Sequence, residues 1–429
     1  MQDDLAQDAF DTLTDADGKT AQDLDRAAQR AEARNGLRHA ASLSMTKVAD
    51  GLIDPKLVLS WLLTALGAPA VFAGILVPIR EAGALLPQIG LAGWVQRMAH
   101  RKWAWVLGSA GQGAAAALIV LAALTLDGAA AGYAVCGALA LLAVCRAACS
   151  VSFKDILGKT VGQTRRGAIT GLAGSVSSVG VLVFAGFLVS GLFQSKGIVI
   201  AAIALAAALW LLAATLFSTL EETASEDVED AQGVSFDLLR DNPDLWRFIV
   251  VRGLLVSTAL APPYLVVLAN SAGLTALGQL GALVLASAIA SLLSSYVWGR
   301  MADKSSRKVL MRTGLLGALA MSAAVVLAVL GLAAEVWAMP AVLFVLMIAY
   351  HGVRQGRSTY LVDMSPPDQR SAYAAVSNTV IGVLLLIAGG LGGGAAFLGA
   401  EWTLAGFAVM SVAASVVAIG LPEVQRPAD

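Results

Sequence analysis

Four arginines lie where a strongly apolar chain has no evident use for them. Arg354 and Arg357 follow directly on the apolar run AVLFVLMI at 341–348, with Tyr350 and His351 just before them. Tyr350, Arg354 and Arg357 are spaced i, i+4, i+7, which places them on one helix face, and His351 borders it. Arg146 heads a second such set, with Ser150 at i+4, Lys154 at i+8 and Asp155 beside Lys154. Arg252 closes the stretch WRFIVVR. A guanidinium is a rigid fork of donors that fits a carboxylate or phosphate through paired hydrogen bonds. The chemistry on offer is therefore recognition of an anion. Each residue also has a plainer reading: an ion pair that holds two helices, a side chain snorkelling to an edge, or, for His351, a packed core histidine.

The elements that must position these groups follow from composition. The chain has 429 residues, 58% hydrophobic and only 14% charged, with mean hydropathy +0.75 and net charge -1. Soluble domains carry about 25% charged residues, so the long apolar runs are read as membrane spans. The charge balance gives no footprint for nucleic acid. Cys136, Cys145 and Cys149 share one apolar segment, which is neither a disulfide framework nor a zinc spacing, and no cofactor is implied. Spans are expected at 57–79, 82–99, 103–126, 132–157, 167–191 and 196–218, then at 246–269, 274–298, 308–331, 338–362, 370–397 and 400–421. They are rich in Ala, Leu, Val and Gly and lack the alternation of barrel strands. The expected fold class is an all-α integral membrane protein with twelve transmembrane helices in two six-helix, pseudo-symmetric halves.

Residues 1–52 are polar and acidic at their start, and read as a solvated tail, helical in part from Ala21 to Arg34; they lack the pattern of a secretory signal. The N-terminal bundle would span 53–218, a polar linker 219–245, the C-terminal bundle 246–421 and a short tail 422–429. Arg97, Arg101, Lys102, Lys159, Arg165, Arg166, Arg240, Arg300, Lys304, Arg307, Lys308 and Arg370 all fall in connections on one side, against Arg80 and Lys196 on the other. The positive-inside rule then puts both termini in the cytoplasm of a multi-pass protein of the inner (plasma) membrane.

Two features carry a family resemblance. Gly299-Arg300-Met301-Ala302-Asp303-Lys304-Ser305-Ser306-Arg307-Lys308, between the eighth and ninth spans, resembles the G-x-L-A-D-R-x-G-R-K loop of the major facilitator superfamily. A glycine there lets helices approach, an aspartate pairs with basic groups or a helix end, and the basic tail fixes the loop inside. On this reading Gly299, Asp303, Arg307 and Lys308 are gating residues. The first-half copy, Gly93 to Lys102, keeps its basic end but has Gln96 near the acidic position. The second feature is repetition: Val161-Gly162-Gln163-Thr164-Arg165-Arg166-Gly167 and Ser365-Pro366-Pro367-Asp368-Gln369-Arg370-Ser371 both look like the superfamily's V-P-P-x-x-R-G turn and precede the fifth and eleventh spans. Matching turns in two halves support a duplicated unit. The Gly-Pro pattern of drug–proton antiporters is absent from the fifth span.

The resemblance covers about residues 53–421 and implies a secondary transporter that alternates access by rocking one half against the other, with the first, fourth, seventh and tenth helices lining the cavity. Arg146 then lies about 16 Å inside its span, Arg252 about 9 Å and Arg354 about 12 Å, where a charge costs about 2.5–3.5 kcal/mol on insertion scales and is expected to face protein or water. The expected substrate-binding set is Arg146, Ser150, Arg252, Tyr350, His351 and Arg354, joined by Trp61 and Thr64 of the first span. Arg80-Glu81 reads as an outer turn, Pro262-Pro263 as a bend in the seventh span, and Asn378 as an interhelical hydrogen-bonding group. No Asp or Glu falls deep in a span by these boundaries. The expected solute is a small organic anion. An exporter of drug-like amphipaths and a non-transporting binding or assembly factor remain alternatives. An enzyme is not expected, since GSAGQG at 108–113 lies inside a span without a strand or a P-loop lysine. Partners are the solute and the bilayer, with a coupling ion such as a proton left open and a monomer expected.

Overall fold

With no water to satisfy them, backbone groups in a bilayer must pair within their own segment, and among the described residues the chain is helical without strands. The computed structural model describes residues 2–14, 24–190, 195–224, 237–271, 277–366 and 369–425. The first half comprises α1 (Gln2–Thr14), α2 (Arg26–Leu52), α3 (Val58–Ala65), α4 (Ala70–Leu85), α5 (Gln88–Gln96), α6 (Lys102–Thr125), α7 (Gly128–Thr160), α8 (Arg166–Val189) and α9 (Lys196–Ser218). After the short α10 (Asp237–Asp241) come α11 (Pro243–Leu254), α12 (Ser257–Leu260), α13 (Pro262–Ser271), α14 (Leu277–Val329), α15 (Ala338–Met364), α16 (Arg370–Ala395) and α17 (Ala400–Ile419). α14 is two arms joined at Ser305, whose φ of -166° and ψ of 97° are not helical. Nine stretches among the described residues are long and apolar enough to cross a bilayer, and the pair α4–α5, bent by 41°, makes a tenth. Together with α2–α3 and the first arm of α14, which pack in the same bundle, the count is consistent with twelve.

The start of the bundle differs from expectation. Residues 26–52 are not a solvated tail: α2 packs against α7, α8 and α9 and buries residues along its whole length. Its polar side chains find partners on those neighbours. Glu32 accepts from the Gly162 N–H at 2.9 Å and from Arg165 at 2.5 Å. Asn35 pairs with the backbone of Glu221 in both directions, and His39 meets Thr160 at 2.8 Å. The first crossing is thus α2–α3, interrupted at 53–57. Pro55 brings no N–H to a helical ladder, and Asp54 accepts from the N–H groups of Lys56 and Leu57 at 2.8 and 3.1 Å. The expected span 57–79 is cut by a turn at Gly67, whose φ of 71° suits glycine. The second crossing is α4–α5, and it carries Arg80 and Glu81 in mid-helix rather than in a turn.

The seventh crossing is broken in the corresponding place, between Leu254 and Pro262, where the two prolines predicted a bend. The halves meet at the end of the bundle with the tight turns. α4 lies on α16, and α8 on α14. Contact there is close: a Cβ at Gly389 would sit 2.0 Å from the Pro78 ring, and one at Gly281 2.8 Å from the Val189 nitrogen. Toward the end with the polar loops the halves part, so Ser150, Lys154 and Arg354 are exposed although they lie in long helices.

Candidate functional site

The broken first crossing brings charge to the middle of the bundle. Lys47, Asp50 and Asp54 fall on one face of α2 and its continuation. Asp50 is a hub: Arg80 of α4 donates to it at 2.6 Å, and Arg146 of α7 donates to its other oxygen. Arg80 is buried, while the Arg146 side chain is 40% exposed. Lys47 donates to the Thr170 carbonyl of α8 at 3.1 Å. Within the break, buried Lys56 stands over the Tyr350 ring, 3.8 Å from its centroid, which joins the two halves by a cation–π contact.

Between the halves lies a cavity of about 220 Å³. Asp54 and Lys56, Ser177 and Ser178 of α8, Ser287 and Ser291 of α14, and Tyr350, His351 and Arg354 of α15 supply its polar lining. Arg354 sits ten residues before the end of α15, about 15 Å along the axis, and no hydrogen bond or ion pair engages it among the described residues. The His351 Nε2 is buried without a partner, and its ring meets Tyr350 edge-on at 5.3 Å. A smaller void of about 30 Å³ adjoins, lined by Glu81, Arg252, Tyr350, Arg354 and Arg357 among apolar groups. Arg252, 6% exposed, donates to Ser377 at 2.7 Å and to Asn378 at 2.9 Å. Asn378 does bond across helices, as its position in the eleventh span led us to expect. A larger cavity, about 560 Å³, lies elsewhere, in an apolar groove between α11, α16 and α17; its walls hold no charge that would recognise a polar solute.

Basic groups dominate the two charged cavities and the Asp50 hub beside them. Among the described residues, Lys47, Lys56, Arg80, Arg146, Arg252, Arg354 and Arg357 stand against three carboxylates, Asp50, Asp54 and Glu81. Such an arrangement attracts and holds a negative charge, and two unpaired arginines leave donors free for it.

Of the residues singled out from the sequence, Tyr350, His351 and Arg354 share the larger cavity and Arg252 lines the smaller, whereas Arg146 lines neither and is paired with Asp50. Ser150 is exposed on α7 and makes no hydrogen bond among the described residues. Trp61 and Thr64 do not line either cavity: Trp61 is packed in the core, and the Thr64 hydroxyl donates to its own helix at Ser60, 2.8 Å away. Both follow from α3 lying beyond the break, where the crossing turns inward onto its neighbours. Asp50, Asp54 and Lys56 were missed, and Glu81, expected in an outer turn, lies in mid-helix. The signals were the Asp54-Pro55 pair inside an apolar stretch, and Arg80-Glu81 flanked closely by apolar residues on both sides, Ile79 before and Ala82 after. Asp50 and Glu81 therefore lie inside crossings, contrary to the expectation that no carboxylate falls deep in a span.

The loop after the eighth crossing is held otherwise than expected. A Cβ at Gly299 would meet nothing within 4 Å, so no close approach depends on it. The side chain of Asp303 lies outside the described residues, as do Pro367 and Asp368 of the repeated turn. Arg307 donates to the Leu421 carbonyl at 3.1 Å and lies 3.5 Å from Glu423, while Ser305 donates to Glu423 at 2.7 Å. Lys308 is exposed; its backbone N–H donates to Ser305 at 3.2 Å. Gln425 grips Ser306 and Asp363, so residues 422–425 are clamped rather than a free tail. The first half does the same with other residues. Glu222 accepts from the N–H groups of Arg101 and Lys102 at 3.0 and 2.8 Å, and Asp155 takes Arg101 at 2.6 Å.

The family model described as Major Facilitator Superfamily matches residues 44–331 and 254–429. The chain belongs to that superfamily. Its solved neighbours agree on the fold. A mutant of the nucleoside transporter NupG superposes with TM-score 0.69 at 12% identity, covering 90% of this chain and 99% of that one. A bacterial homologue of the iron transporter ferroportin in an inward-facing state gives 0.63 at 15%, covering 90% and 98%. A POT family transporter in complex with a thioalcohol-conjugated peptide gives 0.65 at 13%, covering 90% and 96%. No curated protein matches the sequence. The superfamily member described here has the fold of membrane transporters and a polar cavity between its halves.

Proposed function

We propose that this superfamily member is a secondary transporter of a small organic anion, which binds in the cavity between Lys56, Tyr350, His351 and Arg354 and is exchanged between the two sides by rocking of the halves. The observation that carries this reading is Arg354: an unpaired guanidinium deep in α15, exposed to a cavity whose surroundings are basic. A polar lining of serines and an imidazole suits a hydrophilic solute better than a drug-like amphipath, which disfavours an exporter of such compounds. Intramembrane charges are costly and persist for function; that favours transport over a binding or assembly factor. The lysine and arginine bias supports cytoplasmic termini in a plasma membrane, with a first bundle now starting at Arg26, a second ending near residue 421 and a monomer as the working unit. Proteoliposome uptake tests the reading with radiolabelled mono- and dicarboxylates, phosphate esters, cations and neutral sugars. Uptake of an anion, reduced at least tenfold in Arg354→Gln and in Lys56→Gln, is expected. Uptake of cations or neutral compounds alone, or full activity in both variants, rejects it.

A further inference from the structure

The 30 Å³ void beside the main cavity has features that solute binding does not use. It is bounded by Arg252 of the seventh crossing, Arg354 and Arg357 of the tenth, Glu81 of the second, and the broken stretch at 255–259. Arg252 is almost wholly buried, and its Nε–H has no acceptor, although its two terminal nitrogens are satisfied by Ser377 and Asn378. Arg357 makes no hydrogen bond or ion pair among the described residues. Glu81 feels Lys56, Arg357, Arg80 and Arg354, yet no ion pair within 4 Å engages it there. Three guanidinium groups thus converge on a space with one carboxylate at its rim. A buried donor without a partner is uncommon and calls for an unseen acceptor. The void is much smaller than the cavity beside it, about 30 against 220 Å³, which suits a compact ion better than a solute with a carbon frame.

We propose that this void binds a single halide-sized inorganic anion, chloride in the cell, held by the Arg252 Nε–H and the Arg357 guanidinium. The ion supplies the acceptor that Arg252 lacks and offsets the basic excess on the second half, while Arg354 stays free to face the main cavity. It sits where Glu81 of the first half approaches the second, so the carboxylate and the ion compete for the same arginines.

Thermal unfolding of the purified full-length protein tests this without reference to any solute. Ionic strength is held constant while chloride replaces gluconate, a far bulkier anion. Melting is expected to rise and saturate with chloride, and bromide is expected to substitute. The dependence should weaken at least tenfold in apparent affinity in Arg357→Gln, which has no hydrogen bond to lose, and in Arg252→Met if that variant folds. Glu81→Gln should tighten it severalfold by removing the competitor. Equal melting in chloride and gluconate, as for a void that holds only water, overturns the proposal, and so does a chloride dependence unchanged in Arg357→Gln. Either result leaves the organic-anion reading of the main cavity intact, because its test reads uptake.

Discussion

Adding one methyl group at Gly389 should shift the balance between the two access states, and its neighbour Gly390 provides the control. Gly389 is on α16 of the second half, and Pro78 is on α4 of the first. A Cβ at Gly389 would lie 2.0 Å from the Pro78 Cγ and 2.8 Å from its Cβ. A pyrrolidine ring in a helix cannot rotate away, so the helices themselves must separate. Overpacking of a close interface costs about 1–3 kcal/mol. This contact exists only while the tight-turn end is closed. The cost therefore falls on one state and changes the ratio of states by about 5- to 150-fold. At Gly390 a Cβ meets nothing within 4 Å. The assay is pulsed electron–electron distance measurement between spin labels at Asp127 and Leu398, both at tight turns of opposite halves and both exposed, after replacing the three cysteines. Gly389→Ala should move the population to longer distances, and Gly390→Ala should leave it as in the parent. If both variants give the parent distribution, the seam is not a gate and the assignment of moving halves fails.

Three further outcomes follow from the same contacts. Asp50→Asn removes the shared carboxylate of Arg80 and Arg146, and should lower stability by about 1.5–3 kcal/mol, the scale of lost charge-assisted bonds; the 40% exposure of the Arg146 side chain keeps it below the cost of a fully buried pair. Denaturation in detergent should show the loss, with part of it recovered in Asp50→Asn/Arg146→Gln. Glu222→Ala takes an anion away from two N–H groups at the start of α6 and should cost about 1 kcal/mol, read as a lower melting temperature that Glu222→Gln restores in part. Phe10→Ala should free α1, because the ring is fully buried and lies against Gly36 of α2 and beside Arg165; hydrogen exchange should then quicken in residues 2–14 and stay unchanged in α6.

Much of the fold was legible because hydropathy alone separates membrane spans from their connections, and helices six onward in the chain fell close to their expected ranges. The first crossing was not, and the reason is physical. Hydropathy reads a polar residue as solvated, whereas Glu32, Asn35, His39 and Asp50 of α2 each bond a partner far away in sequence. The error then propagated: with the first span placed late, Arg80 and Glu81 became a turn and Trp61 and Thr64 became lining. At the site, periodicity placed Tyr350 and Arg354 on one face without help from any partner. Lys56 could not be found that way, since its position depends on a break in the helix rather than on a helical period.

The charge distribution also bears on how an anion transporter avoids moving empty. Arg146 and Lys47 belong to the first half, and Arg354 and Arg357 to the second. Their side of the bundle is parted, with Arg354 exposed. On the proposed reading, closing that side without solute brings like charges toward one another. Two unit charges 4 Å apart repel by about 1 kcal/mol in water and by about 4 kcal/mol at the effective dielectric of a protein surface, so closure becomes costlier as water leaves. An anion between them reverses the sign of that term, since each half is then attracted to the same ligand. The opposite seam works without charge: Gly389 on Pro78 and Gly281 on Val189 depend on fit alone. A solute-sensitive side paired with a solute-blind side is sufficient for coupling. It predicts that Arg354→Glu, which turns repulsion across the gap into attraction, closes the polar-loop side in the absence of any solute. Spin labels at Lys154 and Ser358, exposed on α7 and α15, should then report the shorter distance that the parent shows only with transported anion present; an unchanged, solute-dependent distance would show that something other than these charges holds the halves apart.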